Sequence, residues 1–126
     1  MRVLFVTHDG TSHEPLGLEY CSAALLRAGH ETKACMQSNA LTEVRDWSPD
    51  FAAFQGITGD QERWGAVAAA IKRKFPKVKT IFGGPHYTYF AKAQQAEADF
   101  IIRGDGEKAI VGVVEGKEWE NLGLIG

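Results

Sequence analysis

The sequence predicts one α/β domain in which five parallel strands form a sheet with helices on both faces. Short apolar runs alternate with helical patterns along most of its 126 residues, as in a series of β-then-α units. The first run, residues 2–7, is almost continuously apolar, which is typical of a strand covered on both faces. Each run is followed by enough residues for the crossover that neighbouring parallel strands require.

Five segments have the composition of strands, and five have the pattern of helices. The predicted strands are residues 2–7, 31–36, 51–55, 78–82 and 100–102. The predicted helices are residues 16–28, 41–47, 60–75, 89–98 and 108–115. Pro15 opens the first helix, and Gly29 is placed to end it. Right-handed crossovers between such units favour strand order 2-1-3-4-5, so we expect a flavodoxin-like (Rossmann-like) three-layer sandwich.

The helix over residues 60–75 has the clearest pattern. From Trp64 to Phe75, apolar residues recur at positions i, i+3, i+4, i+7 and i+11, which form one stripe on a helix. Asp60 is a good N-cap residue, Pro76 closes the helix, and the cations of the last turn suit the helix dipole. We interpret this stripe as part of the core.

Composition and charge exclude several classes of protein. Hydrophobic residues make up 44% of the chain and charged residues 24%, a balance typical of globular domains. The net charge of −2 argues against a nucleic-acid-binding face, which would be basic. No apolar run has the roughly 20 residues that a membrane span needs. Cys21 and Cys35 form neither a disulfide framework nor a close zinc-binding pair, so we expect a reduced, cytoplasmic setting.

The loops that follow the predicted strands are rich in glycine and histidine. Seven of the 14 glycines and three of the four histidines lie in the loops 8–13, 56–60, 83–88 and 104–107. Such loops meet at the carboxyl edge of a parallel sheet, where ligands bind near the point at which strand order reverses. Glycine lets the backbone approach a ligand closely, and the helix N-termini behind these loops supply free N–H groups. The pattern therefore predicts a binding face at this edge.

The same loops show no pattern of a catalytic centre. A phosphoacceptor receiver domain needs an acidic residue after its third strand, where this chain has Gln55 and Gly56. The Gly-Lys-Ser/Thr of a Walker loop is absent, and the Gly104-Asp105-Gly106 run lacks the third glycine of a dinucleotide fingerprint. No Gly-x-Ser-x-Gly elbow of a hydrolase occurs. We therefore expect a face that binds, and we assign no catalytic residue and no metal ligand.

Several motifs occur in a recognisable order along the whole chain. They lie at residues 14–20, 26–31, 48–51, 56–58, 72–76, 82–88 and 98–107. The most specific is the pairing of Gly-Gly-Pro-His-x-Thr at 83–88 with Gly-Asp-Gly-Glu at 104–107. In this order and spacing, the motifs resemble the cobalamin-binding domains that precede radical S-adenosylmethionine domains.

The resemblance implies a domain that holds cobalamin over the carboxyl edge, with the nucleotide tail of the cofactor beside the sheet. Gly83 and Gly84 would leave room for the base of the tail, because two residues without side chains at a strand end open a slot between sheet and helix. Thr58 would stand beside that base. The cofactor-binding residues implied in this way are His8, Asp9, Gly10, Gly56, Ile57, Thr58, Gly83, Gly84, Pro85, His86, Gly104 and Glu107.

The chain departs from the family pattern in its histidines and cysteines. The Asp-x-His-x-x-Gly motif, whose histidine becomes the lower cobalt ligand, is absent. His8 or His13 could still reach cobalt from the first loop, whereas His86 is expected to shape a helix start. His30 follows a helix at the opposite edge, so we expect it to be structural. The Cys-x-x-x-Cys-x-x-Cys motif of a radical enzyme's iron–sulfur cluster is also absent.

Residues 117–126 resemble the start of a linker toward a radical domain. We therefore expect a cobalamin-binding-like domain over residues 1–116 and a downstream radical domain in cis, which would hold the iron–sulfur cluster and S-adenosylmethionine. The isolated domain would be a non-catalytic module of a methyltransferase or related radical enzyme. Two alternatives remain. One is an interaction or regulatory domain with a vestigial cobalamin site, and the other is an enzyme acting on a nucleotide sugar or similar phosphate ligand, for which no acid–base pair is recognisable.

Overall fold

Strands and helices alternate along the chain much as the sequence predicts. A computed structural model describes residues 1–7, 16–55, 61–83, 98–102, 106–116 and 124–125, and within them it describes the backbone alone at 16–19, 55, 61–64, 106–108 and 124–125. The strands are β1 (Arg2–Thr7), β2 (Glu31–Met36), β3 (Phe51–Gln55), β4 (Lys79–Gly83), β5 (Phe100–Ile102) and β6 (Leu124–Ile125). The helices are α1 (Leu16–Arg27), α2 (Ala40–Trp47), α3 (Gln61–Lys74) and α4 (Gly106–Glu115), with a short 3₁₀ helix at Gln37–Asn39. Residues 89–97 of the remaining predicted helix lie outside the described residues.

The sheet has the predicted strand order at its centre and one additional strand at its edge. Its order is β2-β1-β3-β4-β5-β6, and the first five strands are parallel, which confirms the expected 2-1-3-4-5 arrangement. β6 pairs with β5 in the antiparallel sense and has no counterpart among the predicted strands. It lies within the segment that we expected to begin a linker, and the division of the chain at residue 116 stays a prediction.

Two hydrophobic layers cover the sheet, one on each face. Alternate strand residues point to opposite faces, so each strand contributes to both layers. On the face covered by α1 and α4, called here the α1/α4 face, the buried residues are Val3, Phe5, Leu25, Phe51, Ala53, Ile81, Phe100, Ile102, Ala109, Ile110, Val113 and Val114. On the face covered by α2 and α3, the α2/α3 face, they are Leu4, Val6, Ala40, Val44, Ala52, Phe54, Ala68, Ile71, Val78, Phe82 and Ile101.

The end of α1 has the geometry predicted from Gly29. This glycine has a φ of +90°, in the left-handed region that side chains disfavour. Its N–H donates to the Leu26 carbonyl at 3.1 Å, and the His30 N–H donates to the Leu25 carbonyl at 2.9 Å. These two bonds form a Schellman motif, which satisfies helix carbonyls that would otherwise lack donors.

His30 is structural, as expected from its place after a helix. Its Nε2 lies 3.0 Å from Glu115 Oε2 at the end of α4, and its Nδ1 lies 3.2 Å from the amino group of Met1. The imidazole thus connects the α1–β2 turn with the last turn of α4 at the amino edge of the sheet. This edge is opposite the predicted binding face.

The Ser-Pro-Asp-Phe motif at residues 48–51 also has a structural explanation at the amino edge. Ser48 ends α2 with a φ of +52°, and its N–H donates to the Val44 carbonyl at 3.0 Å. The Asp50 carboxylate accepts the Arg2 backbone N–H at 2.8 Å, while the Asp50 N–H donates to the Arg2 carbonyl at 2.9 Å. These reciprocal bonds align the starts of β1 and β3.

A second aspartate connects β4, β5 and α3. Asp99 Oδ2 accepts the Thr80 backbone N–H at 2.9 Å and lies 2.6 Å from Lys72 Nζ. Burial raises the pKa of the Asp99 carboxyl, but the hydrogen bonds from Lys72 and Thr80, with the charges of Lys72 and Lys79, lower that pKa more. The net effect is a pKa below the ordinary value of an aspartate.

Leu25 should contribute more to stability than its neighbour in sequence. Among the α1 side chains that the structure describes, Leu25 is the one that is fully buried, whereas Leu26 is 57% exposed. Leu25→Ala should lower the free energy of unfolding by about 3 kcal/mol, because it leaves a cavity against α4. The control Leu26→Ala should cost less than about 0.5 kcal/mol. Urea unfolding measures both, and equal losses would contradict this packing of α1.

The ion pair of Asp99 should make stability depend on acidity. Because its pKa is depressed in the folded state, the stabilisation is complete above the unfolded pKa, about 3.9, and is lost as the pH falls through the folded value. Asp99→Asn should therefore lower the free energy of unfolding by about 1 kcal/mol at pH 7, with the difference from wild type vanishing in strong acid. Urea titrations from pH 2 to pH 7 measure this difference. Asp46→Asn, in an exposed pair with Arg45, should cost little throughout, and a pH-independent effect at Asp99 would refute the assignment.

Candidate cofactor-binding site

The carboxyl ends of the five parallel strands lie at one edge of the sheet. They end at Thr7, Met36, Gln55, Gly83 and Ile102. Helices α1, α3 and α4 follow β1, β3 and β5, so their N-termini are directed to the same edge. Helix N-termini carry unpaired N–H groups and partial positive charge, which favour anionic or carbonyl groups of a ligand.

Strand order reverses between β1 and β3. The chain passes from β1 to β2 on one side, and from β2 across to β3 on the other side of β1. In open α/β sheets, the two loops that follow such strands diverge, which leaves a crevice outside their carboxyl ends. The strands concerned end at Thr7 and Gln55, directly before the predicted loops 8–13 and 56–60, which lie outside the described residues.

Gly83 leaves the end of β4 without a side chain on the α1/α4 face. Along β4, Ile81 belongs to this face and Phe82 to the other, so the alternation returns Gly83 to the face of Ile81. A Cβ built on Gly83 would lie 3.5 Å from the Ile102 carbonyl oxygen and 3.6 Å from Ile102 Cβ. These are ordinary van der Waals distances, so one methyl group fits, and a larger side chain would occupy the space beyond it.

On the α2/α3 face, aromatic side chains are packed next to the end of β4. Phe54 and Phe82 stack there with ring centroids 4.9 Å apart and an angle of 22° between the rings. Both side chains are buried, with Phe82 fully inaccessible. β4 thus places no side chain at Gly83 on the α1/α4 face, whereas aromatic side chains fill the neighbouring position on the α2/α3 face. The two faces of the edge are thus unequal.

The end of β1 is fixed to the edge strand β2. Thr7 Oγ1 donates a hydrogen bond to the Cys35 carbonyl at 3.0 Å, in addition to the pairing of Thr7 with Met36. This bond uses a carbonyl at the carboxyl end of β2. The point from which the first loop leaves the sheet is therefore defined by a side chain as well as by the strand ladder.

Two of the predicted cofactor-binding residues lie within the described part of the chain. Gly83 is at the end of β4, at the expected edge, and Glu107 is in the first turn of α4, where the backbone alone is described. The others lie outside the described residues, and their roles stay predictions: His8, Asp9, Gly10, Gly56, Ile57, Thr58, Gly84, Pro85, His86 and Gly104.

Sequence reasoning did not identify the side chains that shape the edge beside Gly83. The stacked pair of Phe54 and Phe82 was predicted as strand residues, without a face, because a strand buried on both sides shows no period of two. Asp99 lies in the motif at residues 98–107, but the motif did not predict its contact with Thr80. The sequence signal for this contact is an acidic residue directly before a short apolar run. Such a pattern is too common to identify a hydrogen bond between strands.

The part of the chain that the structure describes shows no metal-binding cluster and no disulfide. No group of three or more His, Cys, Asp or Glu side chains there could hold a metal ion. Cys21 and Cys35 are each half-buried and are not joined by a disulfide. None of the described helices combines the length and the apolar character needed to cross a membrane.

The strand order, the reversal between β1 and β3 and the helices on both faces define a domain of the flavodoxin-like class. Among the described residues, the fourth strand ends on the α1/α4 face in a residue without a side chain. The sequence matches the B12 binding domain family over residues 2–114, and the chain belongs to this family. The resemblance stated from the motifs is thereby confirmed.

Relatives of known function are considerably longer than this chain. The hopanoid C-3 methylase of Methylococcus capsulatus is 31% identical over 104 aligned positions, which cover 75% of this chain and 20% of the methylase. The anaerobic magnesium-protoporphyrin IX monomethyl ester cyclase of Cereibacter sphaeroides is 26% identical over 141 aligned positions, 97% of this chain and 23% of the cyclase. The chain thus spans about a fifth of the length of each.

A solved structure supports the fold. The radical S-adenosylmethionine methyltransferase TsrM of Kitasatospora setae, with cobalamin and a [4Fe-4S] cluster bound, superposes with a TM-score of 0.76. The match covers 98% of this chain and 26% of TsrM, at 18% sequence identity. At this identity, the likeness establishes that the two share the fold.

The inequality of the two faces can be tested by substitutions at neighbouring positions. Phe82→Ala should lower the free energy of unfolding by about 4 kcal/mol, because it leaves a large cavity beside Phe54. Gly83→Ala should change it by less than about 1 kcal/mol, because a methyl group fits there and alanine restricts the unfolded chain. Chemical denaturation measures both values. A strongly destabilised Gly83→Ala would show that the α1/α4 face is already filled.

Proposed function

We propose that this chain is the cobalamin-binding module of a radical S-adenosylmethionine protein. The module would hold the corrin ring over the carboxyl edge and the nucleotide tail in the gap beside Gly83, on the α1/α4 face. The observation that carries this proposal is the bare position at Gly83, because the position across the sheet is closed by Phe54 and Phe82. The residues present therefore fit the group that the family name implies.

Residues of four loops would contact the cofactor. We assign the corrin ring to the first loop, with His8, Asp9 and Gly10, and the tail to the later ones. The loop at residues 56–58 would place Thr58 beside the tail, and the loop at residues 83–86 would border the gap. Gly104 and Glu107 would close the gap at the start of α4. The N-termini of α1 and α4 favour phosphate and amide oxygens of the tail by their free N–H groups.

The chemistry of the bound group would be completed outside this module. Cobalamin supplies a cobalt centre that can carry a methyl group between a donor and an acceptor. The part of the chain described here offers no acid–base pair beside the slot, so we propose that the module binds and orients the cofactor and is not catalytic alone. His8 or His13 remains the candidate for a contact to cobalt.

The whole protein would be a methyltransferase or a related radical enzyme. This proposal is supported by the names of the longer relatives, a methylase and a cyclase, and by the cobalamin and [4Fe-4S] cluster of TsrM. A radical domain downstream in cis would hold the iron–sulfur cluster and S-adenosylmethionine, and cobalamin would lie between the two domains. The two cysteines are not joined by a disulfide, which agrees with the cytoplasmic location that we propose.

Cofactor uptake tests the proposal directly. The purified chain is mixed with hydroxocobalamin and separated by gel filtration, with absorbance recorded for protein and corrin. We expect the corrin absorbance to co-elute with the protein, with a base-off spectrum if the tail has been withdrawn from cobalt. Protein that elutes without corrin would contradict the proposal and would favour an interaction domain with a vestigial site.

A branched side chain at Gly83 should abolish uptake without unfolding the protein. Gly83→Val places two methyl groups in the gap, since the Cβ alone already contacts Ile102 and valine is favoured in strands. We expect retention of corrin to fall at least tenfold, by the same gel-filtration assay, with unchanged circular dichroism.

The control adds two methyl groups to a side chain on an exposed strand. Ala34→Val, in β2 at the far edge of the sheet, should bind as wild type does. If Gly83→Val still retains corrin, the tail does not occupy the gap beside β4.

A further inference from the structure

We propose that Asp99 is a positioning residue for the gap beside Gly83, because it fixes the alignment of β5 against β4. The inference rests on the proposed function, since the gap concerns the tail of the cofactor. Asp99 itself lies at the amino edge, at the opposite ends of these strands. It would act through the strands and would not touch the ligand.

Asp99 and Thr80 are joined by hydrogen bonds in both directions. Asp99 Oδ2 accepts the Thr80 backbone N–H at 2.9 Å and lies 3.3 Å from Thr80 Oγ1. In return, the Asp99 N–H donates to Thr80 Oγ1 at 3.0 Å and to the Thr80 carbonyl at 3.1 Å. Thr80 is fully buried, and it is the one buried polar residue among those that the structure describes. The Asp99 side chain is partly exposed, so these bonds connect a buried residue of β4 with the surface end of β5.

The ladder between β4 and β5 is too short to fix this alignment well. It consists of Ile81 beside Phe100 and Phe82 beside Ile101, whereas β3 and β4 pair over all five residues of each strand. On its other side, within the described residues, β5 pairs with the two-residue strand β6. The bonds of Asp99 lie directly before the first pair of this ladder and extend it by one position. They are therefore a large share of what holds β5 in register.

The alignment at Thr80 determines the alignment at Gly83. Both strands continue from Thr80 and Asp99 for three residues, which brings Ile102 beside Gly83. The Ile102 backbone and Cβ lie 3.5 and 3.6 Å from the position that a Cβ of Gly83 would take, so Ile102 forms one wall of the gap. A displacement of β5 along β4 would move this wall directly. A full one-residue shift would bring the Ile101 side chain to this face.

Asp50 provides a matched control. It joins β1 and β3 at the same edge with the same reciprocal pattern, accepting the Arg2 N–H and donating to the Arg2 carbonyl. Those strands, however, pair over four residues, from Val3 beside Phe51 to Val6 beside Phe54. Loss of the Asp50 carboxylate should therefore reduce stability with little effect on strand alignment at the carboxyl edge.

The experiment compares Asp99→Ala, Asp99→Asn and Asp50→Ala with the wild-type chain. Absorbance titration gives the dissociation constant for hydroxocobalamin, at a temperature where circular dichroism shows every variant folded. We expect it to rise about tenfold in Asp99→Ala, because a site loosened by an ångström loses much of its affinity, and less than about twofold in Asp50→Ala. Asp99→Asn keeps an oxygen for the Thr80 N–H and should recover most of the affinity.

A second readout needs no ligand. Amide hydrogen exchange at Gly83 and Ile102 should be faster in Asp99→Ala than in Asp50→Ala, relative to exchange in β1 of the same sample. Equal affinities and equal exchange in the two alanine variants would overturn the role of Asp99 while leaving the proposed function intact. A wild-type chain that binds no hydroxocobalamin would overturn the proposed function, and the positioning role would fall with it.

Discussion

The parallel direction of five strands is the constraint on which the rest of the structure depends. It brings the carboxyl ends of β1 to β5 to one edge, and it requires helices on both faces to carry the chain back. The amino edge then becomes the structural edge, where Asp50, His30 and Asp99 join neighbouring elements by hydrogen bonds. The carboxyl edge is left to the glycine-rich loops and the helix N-termini. Because the strands run in one direction, the stabilising contacts lie at the amino edge and the predicted binding loops follow the strands at the carboxyl edge.

Side-chain alternation adds a difference between the two faces of that edge. Ile81 and Gly83 lie on the α1/α4 face and Phe82 on the other, so one step along β4 separates a residue without a side chain from an aromatic stack. A ligand with a flat ring and a long tail suits an edge of this shape, because the tail can enter one layer without displacing the other. The membership in the B12 binding domain family is the reason for which we propose such a ligand.

The sequence predicted the strand order and most element boundaries, because continuous apolar runs, Gly29 and the apolar stripe of α3 are strong local signals. It could not predict β6, since two residues carry no periodicity, or the face to which Gly83 points, since strands buried on both sides show no alternation. The role of Asp99 depends on its meeting Thr80, which is 19 residues away in the sequence, and no local pattern encodes such a contact. The predicted loop residues could be named from motifs alone, but their contacts with a ligand depend on tertiary placement.

The central claim is that the cofactor tail occupies the α1/α4 face beside β4. Isoleucine methyl NMR tests it directly, because Ile101 and Ile102 are adjacent in sequence and lie on opposite faces of the sheet. On addition of hydroxocobalamin, we expect large shifts for Ile102 and Ile81, with Ile101 and Ile71 little changed. Large shifts of Ile101 and Ile71 with unperturbed Ile102 would place the tail on the α2/α3 face and contradict the account.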